Sequence, residues 1–332
     1  MRIPGSLPSA AVEPSRVSVL VPTRNRPVLV ADAVRSALDQ EGVRVEVCVI
    51  DDGSSPPLVL PPDLAADDRV ALLRFDRSRG AAAARNAGLD ATSAGLVAFV
   101  DDDDVWLPGK LRRQVEVLRA AGPDTTHVAS GFDFWHGERL LASVLPQPDV
   151  NEGGLLAHPC LCPTTVLARR EAIVAAGGFD ESVTLAEDWD LWLRMSDHGR
   201  VAVVAEVLAD RRWHPVAAGA ALEARRQIAA RIEPRLALRP AADAARLRTR
   251  FRLDDGVLLA MLGRRRLAAC HVLAAWRDHP GSRAAPLRLA RVLAGERAWA
   301  AARALAGPAR ARVRRARRLP RPPGPTPRWS VP

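Results

Sequence analysis

The chain has 332 residues, 48% of them hydrophobic, enough for one large domain with an appendage or for two modest ones. No run approaches the length of a bilayer-spanning helix, and the stretch before Arg16 lacks the apolar core of a secretory signal, so a cytoplasmic protein is the expectation. Net charge is +10, but residues 303–332 hold nine arginines and no acid, which leaves the remainder close to neutral. Lys110 is the only lysine, so arginine content is poor evidence for nucleic-acid binding and none is expected. Cys48, Cys160, Cys162 and Cys270 show no CxxC pairing and read as reduced thiols.

In chain order, Arg16–Val21 reads as a strand that ends in the polar turn Pro22, Thr23, Arg24, Asn25 and Arg26. Val30, Val34 and Leu38 recur at helical spacing and predict a helix from about Pro27 to Gln40. A second buried strand, Val45–Ile50, empties into Asp51, Asp52, Gly53 and Ser54. A shorter strand at Val70–Phe75 precedes a helix from Gly80 to Leu89 that carries Arg85 and Asn86. Next comes the apolar strand Leu96–Val100, which delivers four consecutive carboxylates, Asp101 to Asp104, to its C-terminal end. This β-α-β-β-α-β order predicts a mostly parallel α/β sheet wrapped by helices, with ligands at the carboxyl ends of the strands.

Four adjacent acids repel one another and call for a cation, and hard oxygen donors suit Mg²⁺ or Mn²⁺. Strand geometry, if it persists, puts Asp101 and Asp103 on one face and Asp102 and Asp104 on the other. The bland alternative is a solvated acidic loop before the next helix, Pro108–Ala121. Farther on come an irregular hairpin over 126–145, a strand at Thr164–Ala168, and a short helix at Arg170–Ala176 closed by Gly177 and Gly178. Asp188 lies near the start of a helix whose Leu191, Trp192 and Met195 pack inward, where the helix dipole by itself favours a carboxylate. Trp106, Trp189 and Trp192 fit a core better than sugar platforms, although Trp189 adjoins Asp188. A strand at Val201–Val207 leads to Arg211, Arg212, Trp213 and His214. Past Ala217 the composition predicts amphipathic helices to about Leu305, broken near Pro234, Pro240 and Pro280. The Arg/Pro-rich segment from Ala309 is expected to lack fixed structure.

Taken together, VSVLVPTRNRP, VIDDGSS, RGAAAARNAGL, FVDDDDVWLPGKL, GGFDE and AEDWDLWLR followed by RRWH resemble the family-two inverting glycosyltransferases of GT-A fold, over about residues 15–215. The resemblance implies a GT-A catalytic domain over 15–216; composition and periodicity add a flexible 1–14, a helical extension over 217–307 and a disordered basic tail over 308–332. The resemblance also implies site roles. Pro22, Thr23 and Arg24 would sit by the nucleotide, and Asp52 would bind the base, commonly uracil, of a UDP-sugar. Arg85 and Asn86 would lie near the nucleotide or the acidic motif, and Asp101 and Asp102 near the ribose or sugar. Asp103 would be the metal ligand, completed by His214, and Asp188 the catalytic base. Glu187 would either raise the pKa of Asp188 or bind acceptor.

Departures from the family pattern narrow the reaction. Ala209 stands where processive synthases have glutamine in QxxRW, which favours single addition in envelope or surface glycan synthesis. Many relatives act on glycan or lipid-linked acceptors, and the basic tail fits peripheral docking to anionic membrane at the inner face of the plasma membrane. Two other readings compete: a catalytically silent nucleotide-sugar-binding or scaffolding relative, and a nucleotidyltransferase. The second would show a Gly-rich loop after its first strand, and Pro22–Arg26 contains no glycine.

Overall fold

The computed structural model describes residues 14–146, 150–152, 155, 161–214, 218–282 and 284–294. The expectations for the N-terminal stretch before residue 14 and for the tail lie outside these residues. The first half runs β1 (Arg16–Thr23), α1 (Pro27–Leu38), β2 (Arg44–Asp51), α2 (Pro62–Ala65), β3 (Val70–Arg74), α3 (Ala81–Ala91) and β4 (Leu96–Phe99). These strands form the parallel block β3-β2-β1-β4. β1 and β2 are buried on both faces, which is why they read as mostly apolar runs, with Ser18 and Glu46 the polar residues inside them. Their register sets Thr23 beside Asp51 and Leu20 beside Phe99, so the three polar clusters emerge along one edge.

Alternate residues of β1 face two cores. Val19 and Val21 pack with Val30 and Val34 of α1, whereas Leu20 packs with Ile50 and Phe99 toward α3. α3 lies close on the sheet because of Gly88: a Cβ there would come within 2.8 Å of Ile50 Cδ1 and 3.0 Å of Leu20 Cδ2. That approach sets the height at which Arg85, almost one turn earlier, meets the sheet edge.

The second half departs from the parallel pattern. It runs β5 (Val105–Trp106), α4 (Lys110–Ala121), β6 (Thr125–His136), β7 (Arg139–Val144), β8 (Val166–Arg169), α5 (Arg170–Ala175), α6 (Glu187–Met195) and β9 (Arg200–Arg212). The sheet continues from β4 through β8, β6, β9 and β5, with β7 paired to β6. β8 is antiparallel to both β4 and β6, and β5 is antiparallel to β9. The irregular hairpin expected over 126–145 forms from β6 and β7, antiparallel with a register shift between Phe134 and Trp135, and β6 shifts register three more times against β9. Its buried polar residues, Thr125, Thr126, His127, Ser130 and Asp133, hide the strand from a reading of apolar alternation.

The C-terminal helices are α7 (Ala218–Ala237), α8 (Ala241–Met261), α9 (Arg265–Asp278) and α10 (Ala284–Ala294). α7 joins the core of Leu20, Ile50 and Phe99 through Ile228, Ile232 and Leu236, while α8, α9 and α10 share a cluster around Leu253, Val272 and Val292. The break expected near Pro234 does not occur there. The helix runs through it to Ala237, since Pro234 deprives only the carbonyl of the exposed Ala230 of its partner. Among the described residues no helix is long and apolar enough to cross a membrane.

Candidate active site

Three loops meet at the carboxyl edge of the parallel block. Asn25 adopts φ 56°, a left-handed conformation that asparagine tolerates, and this folds the 22–26 turn onto the loop after β2. Its backbone N–H donates to Ser54 Oγ at 2.8 Å, and Ser55 N–H donates to Asn25 Oδ1 at 2.9 Å. Asp51 is buried and held by Ser54 N–H, Leu58 N–H and Arg74. Asp52 accepts from Ser78 Oγ at 2.7 Å, Arg79 N–H at 2.6 Å and Gly80 N–H at 3.0 Å. The loop can come this close because Gly53 has no side chain: a Cβ would lie 2.6 Å from the Arg77 carbonyl carbon. Pro22 lies opposite Ile50, and Arg24 is exposed at the same edge.

The acidic run leaves β4 as a turn, closed by Asp104 N–H donating to Asp101 O at 3.0 Å. Strand alternation therefore does not persist, and the four carboxylates separate differently. Asp102 accepts from Thr23 Oγ1 at 2.7 Å and from Arg26 Nη1 at 2.8 Å. Arg26 Nη1 also donates to Asp103 Oδ2 at 2.7 Å, and His214 Nε2 lies 2.5 Å from that same oxygen. Burial pushes the Asp102 carboxyl upward, against the pull of Thr23 and Arg26. Asp104 is a structural member: Arg211 Nε, Thr164 Oγ1 and Arg212 N–H all donate to it, at 3.0, 2.6 and 3.1 Å. Burial, with the negative Asp101 and Asp103 nearby, carries its pKa up to about 7 although Arg211 opposes.

Asp101 turns the other way, toward Arg85, which is only 3% exposed. Arg85 Nη2 donates to Asp101 at 2.8 Å and Nη1 to Glu187 at 2.6 Å, so one guanidinium joins the acidic turn to the start of α6. Asn86 does not reach the acids. It clamps the Phe179 backbone instead, donating to Phe179 O and accepting from Phe179 N–H, each at 2.9 Å.

α6 begins after Ala186, whose φ of 65° is an uncommon strain for a residue with a Cβ. The helix is fixed by buried tryptophans: Trp189 Nε1 donates to Leu155 O at 2.5 Å and Trp192 Nε1 to Leu161 O at 3.2 Å. Trp106 is likewise buried, so all three read as core. Asp188 sits in the first turn, keeps partial solvent access, and accepts from Trp189 N–H at 2.7 Å. Burial and then Glu187 push its pKa up to about 7, while Arg85 restrains the rise. Glu187 thus raises the Asp188 pKa and at the same time anchors Arg85.

Two linked groups result. Thr23, Arg26, Asp102, Asp103 and His214 form one, and Arg85, Asp101, Glu187 and Asp188 form the other. Arg211 spans the turn between them, 3.0 Å from Asp104 and 3.8 Å from Asp101. Sequence reasoning passed over Arg26, Arg211 and Thr164, although Arg26 lies in the turn that it singled out. Among the described residues no cluster of three or more His, Cys, Asp or Glu side chains could hold a metal by itself. Asp103 offers the single carboxylate that Mg²⁺ takes beside phosphate and water, but the oxygen that faces His214 also accepts from Arg26, which a metal held by the pair would have to displace.

A family described as glycosyl transferase family 2 matches residues 18–174. The chain belongs to that family and is a glycosyltransferase. It is 42% identical over 106 residues to succinoglycan biosynthesis protein ExoO of Rhizobium meliloti, a match that spans 32% of this chain and only 30% of ExoO. It is 25% identical over 189 residues to the Escherichia coli UDP-Glc:alpha-D-GlcNAc-diphosphoundecaprenol beta-1,3-glucosyltransferase WfgD, over 57% of this chain and 72% of that one. The crystal structure of S. aureus TarS 1–349 in complex with UDP-GlcNAc superposes with a TM-score of 0.58 at 16% identity, covering 79% of this chain and 81% of that chain. At that identity the likeness is one of fold.

Proposed function

We propose that this glycosyltransferase moves a sugar from a nucleoside-diphosphate donor, a UDP-sugar, to a hydroxyl of a glycan or lipid-linked acceptor by inverting, single-addition, metal-assisted transfer. The observation that carries this reading is Arg85, within hydrogen-bond distance of both Asp101 and Glu187, which holds the donor-side acids and the base helix around one buried cation. Asp188, its pKa raised to about 7, takes the proton from the acceptor hydroxyl as that oxygen attacks the anomeric carbon. The bond from that carbon to the diphosphate oxygen breaks, and the diphosphate leaves with the electron pair. Pro22, Thr23, Arg24 and Asp52 line the nucleotide side, and Asp101 and Asp102 face the ribose and sugar. A divalent cation, held by Asp103 and His214, would neutralise charge on the leaving diphosphate.

The UDP-sugar and the lipid-linked acceptor are supported by the names of WfgD and of the TarS complex. Ala209 in place of a glutamine supports single addition. Nine acid-free arginines in residues 303–332 support docking to anionic lipid at the cytoplasmic face, at about 1 kcal/mol per basic residue near the surface. UDP release from a panel of UDP-sugars with Mn²⁺, with the product anomer read by NMR, tests the reading. Release from at least one donor with inverted product is expected. Silence across the panel, or retention, overturns it.

A further inference from the structure

A cleft of about 470 Å³ lies between the start of α6 and the C-terminal helices, within the usual range of small-ligand sites, about 300–1,000 Å³. Leu185 and Trp189 line one side, Ala221 of α7 another, and Val257 and Leu258 of α8 a third. Leu185, at the entrance, leaves 39% of its surface in solvent. Asp188 follows it by three residues, across the left-handed Ala186, and adjoins Trp189 in the first turn of α6. Trp189 is backed by Phe251, stacked at 5.6 Å and nearly parallel, so this wall is stiff.

The charges at the cleft are already matched. Arg225 Nε lies 2.8 Å from Asp255, and Arg288 Nη2 lies 3.1 Å from Asp254. Little net charge is left over to select an ionic ligand, and the walls are mostly alanine, valine, leucine and tryptophan. The nucleotide edge is built from β1, β2 and α3, none of which contributes to this cleft.

We propose that the cleft is the subsite for the apolar portion of the acceptor, the aglycone or carrier segment attached to the sugar whose hydroxyl Asp188 deprotonates. This rests on Asp188 as the base and on a lipid-linked acceptor. Contiguity carries the argument: an acceptor sugar at Asp188 leaves its substituent next to Leu185 and Trp189, where an apolar surface is already shaped. The C-terminal helices then serve to select the acceptor.

The test uses the full chain with UDP present and hexyl, octyl and decyl β-D-glucopyranoside as probes, each below its micelle-forming concentration, with glucose as control. Calorimetry is expected to show affinity rising with chain length toward about fourfold per methylene, and no measurable glucose binding. Ala221→Trp, which fills the cleft, and Leu258→Glu, which puts a charge in its wall, are each expected to weaken decyl glucoside about tenfold or more. Acceptor-free hydrolysis of the UDP-sugar should stay at the wild-type rate in both. A decyl glucoside carrying a terminal diazirine, photolysed on the wild-type chain, should label peptides of α6, α7 or α8, a readout independent of how the variants fold. Chain-length dependence that survives both substitutions, labelling confined to α9 or to the parallel block, or no chain-length dependence in the wild type overturns the proposal. Loss of donor hydrolysis in the wild type would instead overturn the donor reading.

Discussion

Replacing Arg85 by methionine removes the buried cation that Asp101 of the acidic turn shares with Glu187 at the start of α6. Arg85 is buried, 2.8 Å from Asp101 and 2.6 Å from Glu187, and methionine leaves both carboxylates facing an apolar side chain. Breaking a buried ion pair from one side costs about 3–5 kcal/mol. Asp101 keeps some solvent access and has Arg211 at 3.8 Å, so the lower end, about 3 kcal/mol, applies. At about 2–4 °C per kcal/mol for a chain of this size, the melting temperature should fall by roughly 6–12 °C. The second effect is electrostatic. Arg85 restrains the Asp188 pKa, so its loss should move the acid limb of kcat/KM to higher pH. Thermal melts and a pH–rate profile measure both, and Arg85→Lys, which restores charge without the fork, should return the acid limb and part of the stability. A methionine variant that melts with the wild type and keeps its acid limb would refute the bridge.

The other predictions concern single groups. Lys110 is buried, donates to Gln114 Oε1 at 2.8 Å, and lies 4.1 Å above the Trp106 ring. Burial lowers its pKa from 10.5 to about 7, a response open to an amine and closed to a guanidinium. Lys110→Arg should therefore destabilise the fold by about 2–4 kcal/mol in urea unfolding, and a neutral result would contradict this. Between pH 7 and 10.5 the unfolded chain holds a proton that the folded amine has shed, so wild type should gain stability relative to Lys110→Met as pH rises. In wild type kcat/KM should fall as pH drops through about 7, because the base must be ionised; a flat profile across that range would exclude Asp188 as its source. Chelator should stop transfer and Asp103→Ala should weaken both Mn²⁺ and UDP binding, whereas full turnover in excess chelator would remove the metal.

The parallel block was legible because β1, β2 and β4 are mostly apolar, interrupted inside only by Ser18 and Glu46, and each ends in residues that would be costly to bury without partners. The acids and the base helix stood out for the same reason. Which arginine serves the acids was not legible. The choice between Arg24 and Arg26 depends on the left-handed turn at Asn25, and almost every basic residue in this chain is arginine. Asn86 was read with Arg85 as one unit, but neighbours on a helix point about 100° apart, and Asn86 holds the Phe179 turn while Arg85 holds the acids. The extra length of β9 escaped notice because Asp210, Arg211 and Arg212 look like a solvated strand end. Asp210 accepts from Trp135 Nε1 at 2.8 Å, and Arg211 belongs to the site.

Asp188→Asn tests the mechanism most directly. The amide keeps the shape and an oxygen for Trp189 N–H, but it cannot take a proton. Because the Asp188 pKa is raised on folding, its ionisation costs stability as pH climbs through about 7, so at pH 8 the variant should melt at or above the wild-type temperature. In the same preparation, transfer to acceptor should fall by about 10²–10⁴-fold while UDP-sugar affinity stays within a few-fold. A variant that transfers sugar at the wild-type rate would contradict the account.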